Sequence, residues 1–97
     1  TTVKDNLELV YRMARIYHKQ NNLDKAIANY ELTYKNGSSY SYYFAANSAL
    51  QLGMIYEEQK NFDKAKDSYL RCLSLKNHEY QNSISQKAKA GINRIGG

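Results

Sequence analysis

The sequence predicts an all-α fold, an α-α superhelix (solenoid) of two helical hairpins closed by a C-terminal capping helix. Three observations carry this expectation. Residues 17–30 and 56–69 form an internal repeat, in which Tyr17, Gln20, Asn22, Asp24, Lys25, Ala26 and Tyr30 recur as Tyr56, Gln59, Asn61, Asp63, Lys64, Ala65 and Tyr69. Proline is absent and only five glycines occur in 97 residues, so long uninterrupted helices are permitted almost everywhere. Apolar residues recur at spacings of three and four, the period of an amphipathic helix. One hairpin cannot bury its own apolar face, so neighbours must stack, and a stack offers a long surface rather than a pocket.

The first helix is expected over about Val3 to Gln20, with Leu7, Val10, Met13, Ala14 and Tyr17 on its packing stripe and Asp5 or Thr2 as its cap. Asn21 and Asn22 break the pattern, because their short amides compete for backbone hydrogen bonds. Leu23, Ala26, Ile27, Tyr30, Thr33 and Tyr34 then set up a second stripe, which should stop near Lys35, where Asn36 and Gly37 can take the left-handed conformation. Ser38 and Ser39 offer caps for a third helix over about Tyr40 to Lys60, with Tyr42, Ala45, Ala49, Leu52, Gly53 and Tyr56 on one stripe. After Asn61, the residues Phe62, Ala65, Tyr69, Cys72 and Leu73 give a fourth helix its buried face, and Asn77 and His78 are expected to end it. Tyr80, Ile84, Ala88, Gly91, Ile92 and Ile95 define a fifth helix, polar on its other faces, as suits the wet end of a stack.

Composition sets the limits. A chain of this length holds one domain, residues 1–97, burying roughly 60–70% of the surface its unfolded form exposes. No apolar run approaches the roughly 20 residues that span a bilayer, and the first residues show no signal-peptide core, so membrane insertion is not expected. Cys72 is the single cysteine, which excludes an internal disulfide and a multi-cysteine zinc site and leaves the compartment open, cytoplasmic or periplasmic. Of the +5 net charge, Lys87, Lys89 and Arg94 fall in residues 80–97 without one acid. Two readings compete there, a solvated cationic surface and a patch for an acidic peptide, nucleic acid or membrane surface.

The second hairpin reads Leu52, Gly53 and Tyr56, then Ala65, Tyr69 and Cys72, and so resembles the tetratricopeptide repeat (TPR), with Leu-Gly-x2-Tyr in the first helix and small-aromatic-small in the second. The first hairpin is similar in weaker form through Met13, Ala14, Tyr17, Ala26, Tyr30 and Thr33, with Val10 and Ala49 where the family often has tryptophan and Ser38 and Asn77 where it closes with proline. Small residues let the paired helices approach and the tyrosines fill the space on either side. The step from Tyr17 to Tyr56 is longer than the family's usual repeat of about 34 residues, so extra residues fall between the hairpins, most simply as an added turn at the start of the third helix. The resulting division is repeat 1 at about 3–35, an inserted turn at 36–44, repeat 2 at about 45–77 and the capping helix at about 80–95. The stretch from Asn77 through Ala90 also looks similar to the C-terminal ends of long tetratricopeptide proteins of Bacteroidetes-type bacteria. That likeness implies the tail of a longer solenoid, as do Leu9 and Ile16, which lie on the flank where a preceding repeat would dock.

The resemblance implies that the first helix of each hairpin lines a concave surface that holds extended peptides or partner helices. By phase, the candidate contacts are Tyr11, Arg15 and His18 on the first helix, Tyr43, Asn47, Leu50 and Met54 on the third and Lys89 on the fifth. Aromatic and methionine side chains flanked by Arg15 and Lys89 suit a protein or extended peptide carrying an acidic group. Leu50 and Met54 have a packing reading as well, against the first and fifth helices. The family's carboxylate clamp is not expected, because Tyr11 and Arg15 occupy its first pair of positions and Gln51 its next asparagine. The cluster Tyr40, Tyr42, Tyr43 and Phe44 either fills space opened by the insertion or offers a stacking surface.

Catalysis finds little support. His18 and His78 are the only histidines and neither has an acid placed to make a base pair or metal motif, Glu57 and Glu58 read as solvated charges, and Cys72 reads as a buried hydrophobe. The expectation is therefore a non-enzymatic protein-binding or peptide-binding scaffold, with no catalytic residues, metal, cofactor or small-molecule substrate. Two alternatives remain: a structural cap that self-associates through the flank bearing Leu9 and Ile16, and a nucleic-acid surface built on the basic end.

Overall fold

The computed structural model describes residues 2–76 and 78–96 and consists of five helices: α1 Val3–Lys19, α2 Leu23–Gly37, α3 Tyr43–Glu58, α4 Phe62–Ser74 and α5 Gln81–Arg94. No strand occurs among the described residues. The fold is the all-α hairpin stack expected: α1 packs on α2, α3 on α4, and α5 against both α3 and α4. Because α3 touches all four other helices, it is buried almost all round, through Phe44, Ala45, Ala46, Ser48, Ala49, Leu50, Leu52, Gly53 and Ile55.

The repeated residues have identifiable duties at the two hairpin turns. Asn21 and Lys60 both adopt positive φ, 59° and 62°. The N–H of Asn22 donates to the Tyr17 carbonyl at 2.9 Å and that of Asn61 to the Tyr56 carbonyl at 2.8 Å. Asn21 and Lys60 donate to the carbonyls of His18 and Glu57, both at 3.0 Å, completing a Schellman closure in each hairpin. Asn61 also starts α4, its side chain accepting from the Lys64 N–H. The ammonium of Lys25 stands 5.5 Å from the centre of the Tyr17 ring, and that of Lys64 stands 5.6 Å from Tyr56. The cap of α1 is Thr2, whose hydroxyl accepts from the Asp5 N–H at 3.1 Å, with Asp5 in the first turn and Lys19 in the last complementing the helix dipole.

The segment between the hairpins departs from expectation. α2 does not stop near Lys35; it runs through Gly37, which is buried and has no positive φ. A Cβ at Gly37 would meet Leu7 at 3.3 Å and Ala45 at 3.4 Å, so this glycine serves close approach rather than helix termination. The extra residues do not add a turn to α3, which begins at Tyr43 rather than Tyr40; they lengthen α2 and form the non-helical connection 38–42. There the Tyr40 and Tyr42 rings stack at 6.2 Å, and Lys4 covers Tyr42. Ser38 and Ser39 cap nothing at α3. Its first N–H, that of Tyr43, donates to the Glu79 carboxylate at 3.4 Å, an anion at a helix N-terminus supplied from the α4–α5 connection. α4 ends at Ser74, before His78, and the role expected of Asn77 lies outside the described residues. Met13, Phe62 and Tyr80, expected on packing stripes, are exposed.

Two core clusters follow the two hairpins. Leu7, Tyr11, Ala14, Ala26 and Tyr30 meet Phe44, Leu52 and Ile55 in the first. Ala46, Ala49, Leu50, Ala65, Tyr69 and Cys72 meet Ile84 and Ala88 in the second. Within the second, the Tyr69 ring lies between two glycines. A Cβ added at Gly53 would fall 2.5–2.9 Å from three of its ring carbons, and one at Gly91 would fall no farther than 2.8 Å from three. The Tyr69 hydroxyl donates to Glu57 Oε1 at 2.7 Å, and Arg94 grips the same carboxylate through Nε at 2.9 Å and Nη2 at 3.2 Å.

The left-handed conformation of Lys60 is costly for a residue with a Cβ, whereas an asparagine such as Asn21 tolerates it. Lys60→Gly is expected to raise unfolding stability by about 0.5–1 kcal/mol in urea titration, with Asn21→Gly changing it by less. A loss on Lys60→Gly would show that the backbone strain is not there.

Candidate functional site

The face bordered by α1, α3 and α5 holds most of the polar side chains expected to meet a partner, and the structure sorts them into two groups. In the first, Tyr11 projects from α1 among the rings of Tyr30, Tyr43 and Phe44, at centroid distances of 6.3, 5.7 and 5.5 Å. Its hydroxyl accepts from Arg15 Nη1 at 3.2 Å and from Asn47 Nδ2. Arg15 and Asn47 are half-buried, as is Tyr43, which stands edge-on to Tyr80 at 5.5 Å. Four of the expected residues, Tyr11, Arg15, Tyr43 and Asn47, are thus one hydrogen-bonded and aromatic group joining α1 to α3.

The second group lies one to two turns further along. His18, Met54, Glu57, Glu58 and Arg94 surround an open depression of about 290 Å³. Met54 is 43% exposed. His18 Nδ1 lies 3.1 Å from the Tyr30 hydroxyl. Glu57 stands 39 residues after His18 and Tyr69 39 after Tyr30, so the two hairpins repeat one contact with different chemistry, imidazole in one and carboxylate in the other. Lys89 is exposed on α5 and belongs to neither group.

Three expectations need correction. Leu50 is 2% exposed and packs with Ala65, Tyr69 and Ile84, because α3 is covered from both sides; it has no surface to offer a partner. Tyr11 is 6% exposed, so it supports the face from below rather than lining it. Glu57 is not a solvated charge: it ties α3 to Tyr69 of α4 and Arg94 of α5. Glu57 and Arg94 are the residues of this face that sequence reading missed. The signal was available in the 39-residue register, which places Glu57 opposite Tyr69 as His18 is opposite Tyr30.

The electrostatics follow from these contacts. Hydrogen bonding to Arg94 holds the Glu57 carboxyl below its ordinary value, against the effect of its own desolvation. Burial pushes the Tyr30 and Tyr69 hydroxyls up, so both remain protonated. Burial opposes the Arg15 charge, but the neighbouring Tyr11, Tyr30 and Tyr43 together outweigh it, and the Arg15 pKa lies above the ordinary value. Away from the face, burial lifts the Cys72 thiol to about 12, in keeping with a packing role. No group of three or more His, Cys, Asp or Glu side chains that could hold a metal ion occurs among the described residues. No helix among them is long and apolar enough to cross a membrane.

A family model described as tetratricopeptide repeat matches residues 6–78, the two hairpins and the connection between them. No curated protein and no solved structure matches the chain.

Burial, and then the Arg15 charge, push the pKa of His18 below its usual 6.5. The unfolded chain then takes up this proton more readily than the folded one. The stability tied to neutral His18 is complete above about pH 6.5 and is lost as the pH falls through the folded value. The urea midpoint is expected to drop between about pH 7.5 and 5.5 in the native chain and to drop less in His18→Gln. Parallel pH profiles for the two proteins would remove His18 as the cause.

Proposed function

The chain belongs to the tetratricopeptide-repeat family, and from that premise we propose that the face between α1, α3 and α5 holds an extended peptide segment bearing an acidic group. Tetratricopeptide repeats serve as protein-interaction scaffolds and are as a class non-catalytic. The finer reading rests on one observation about charge. Of the four arginines, Arg12 pairs with Glu8, Arg71 with Glu31 and Asp67, and Arg94 with Glu57. Arg15 alone among them has no carboxylate partner among the described residues; its bond is to the neutral Tyr11 hydroxyl. A guanidinium that is partly desolvated, held in place and lacking an anion is a ready receptor for a carboxylate.

Around Arg15 the roles divide by exposure. Asn47 is fixed by its bond to Tyr11 and can orient a peptide amide. Tyr43 offers a ring edge at one end of the face, and Met54 an adaptable apolar contact at the other, beside His18. Lys89 adds a more distant positive charge on α5. The nucleic-acid reading loses one of its three cations, because Arg94 is committed to Glu57, and leaves Lys87 and Lys89 exposed.

The test is fluorescence anisotropy with labelled eight-residue peptides that differ only in carrying an acidic, neutral or basic residue. Acidic members are expected to bind the native chain, and Arg15→Glu to weaken them at least about ten-fold, while Lys89→Glu costs less. Equal affinity for all three charge classes, or an Arg15→Glu variant that binds as well as the native chain, would defeat the proposal.

A further inference from the structure

Glu58 stands where helix stability disfavours it. It is the last residue of α3, at the negative end of the helix dipole, and α3 has no basic residue in its last turn to offset it. The same register position in the first hairpin holds Lys19, the sign that a helix C-terminus favours. Glu58 has no ion-pair partner among the described residues. The other helix acids outside ion pairs, Asp5, Asp24 and Asp63, all lie in first turns, where the dipole stabilises them. Local structure therefore accounts for every helix acid except this one. Its surroundings suit a cation. With His18, Met54, Glu57 and Arg94 it borders the open depression of about 290 Å³. Arg94 and Glu57 neutralise each other. His18 is neutral at about pH 7.5, because burial and then Arg15 lower its pKa and the opposing pull of Glu58 is smaller. The carboxylate of Glu58 is thus the net charge of the depression, and exposed Met54 offers an apolar wall for the stem of a long basic side chain.

We propose that this depression receives a lysine or arginine side chain of the bound peptide, so that the ligand is an extended segment with a basic residue close to its acidic one. The proposal rests on the reading that Arg15 takes the acidic group, and it supplies the second half of the recognised motif. The spacing follows from the register. Met54 stands at the position of Arg15, and Glu58 lies one turn beyond it, about 6 Å along the helix axis. Packed helix axes are about 8–10 Å apart, which puts the two anchors roughly 10–12 Å from each other. An extended chain covers that distance in three or four residues, at about 3.3 Å each. The chain as a whole carries a net charge of +5 and so repels a basic residue on a ligand. A gain in affinity from such a residue therefore requires a local anion.

The experiment measures fluorescence anisotropy of labelled eight-residue peptides with the full chain at low salt and about pH 7.5. One variable position carries aspartate or asparagine and the other lysine or glutamine, in all four combinations, with the two positions three or four residues apart in either order. Beside aspartate, exchanging glutamine for lysine is expected to tighten binding at least about five-fold in one of these arrangements. Glu58→Gln should abolish that gain and leave the aspartate–glutamine peptide within about two-fold of its native affinity. The variant should be no less stable than the native chain in urea, because the residue is exposed and the helix dipole disfavours its charge. Asp5→Asn, which removes an acid at the opposite end of α1, should preserve the gain. The two readings are scored separately, since Arg15→Glu acts on the preference for aspartate over asparagine and Glu58→Gln on that for lysine over glutamine. Equal affinity for lysine and glutamine members in every arrangement, or a gain that survives Glu58→Gln, overturns the proposal while leaving the Arg15 reading intact. An aspartate preference untouched by Arg15→Glu defeats the Arg15 reading, and with it the mixed-charge motif. Failure of every peptide to bind overturns both.

Discussion

The Tyr69 ring occupies a slot that exists only because α3 and α5 each present a glycine to it. Gly53 stands on one side and Gly91 on the other, and a single methyl at either would overlap the ring. A helix-interior glycine costs about 1 kcal/mol relative to alanine, so two of them at one contact represent a sacrifice of local preference for approach distance. What is gained is a flat aromatic surface buried between three helices, with its hydroxyl donating to Glu57 and that carboxylate held in turn by Arg94. The ring joins α3, α4 and α5 by packing, and the Glu57 bonds join the same three helices by charge. α5, which has no hairpin partner among the described residues, is held partly by this contact and partly by Ile84 and Ala88 in the same core cluster.

Much of this was legible in the sequence because the repeat is written in packing residues. Ala26 and Ala65, and Tyr30 and Tyr69, are fully buried at matching positions, and the Asn22 and Asn61 N–H groups close matching turns, so reading the packing of one copy read that of the other. Errors arose where a residue type has two physical uses. The sequence predicts a helix terminator at Gly37 because glycine commonly is one, but here it admits Leu7 and Ala45 to the helix surface. Its helix could then continue, and the extra residues between hairpins became a longer α2 and a tyrosine-packed connection. Tyr11 and Leu50 share a register position and both are buried, which the phase of a single helix does not reveal because burial there depends on neighbours from other parts of the chain.

The face proposed to bind a peptide was legible in part for a related reason. Its chemistry lies in the positions the two copies do not share, and single-helix periodicity says little about them. Arg15 and Met54 occupy one register position and differ completely, a charged group in one hairpin and an adaptable apolar one in the other. Glu57 required knowledge of its cross-helix partner, since nothing local distinguishes it from Glu58. Its answer lay in comparing the partners of Tyr30 and Tyr69, a comparison that becomes available only once the hairpins are superposed by register.

The account stands most directly on the stability of Gly91→Ala measured by urea unfolding. Helix propensity alone predicts that this change stabilises α5 by about 1 kcal/mol. The two-glycine slot predicts the opposite sign, a loss of about 1–3 kcal/mol, because the new methyl overlaps the Tyr69 ring and forces either the ring or α5 to move. A stabilised Gly91→Ala protein would contradict the claim that Tyr69 fixes α5.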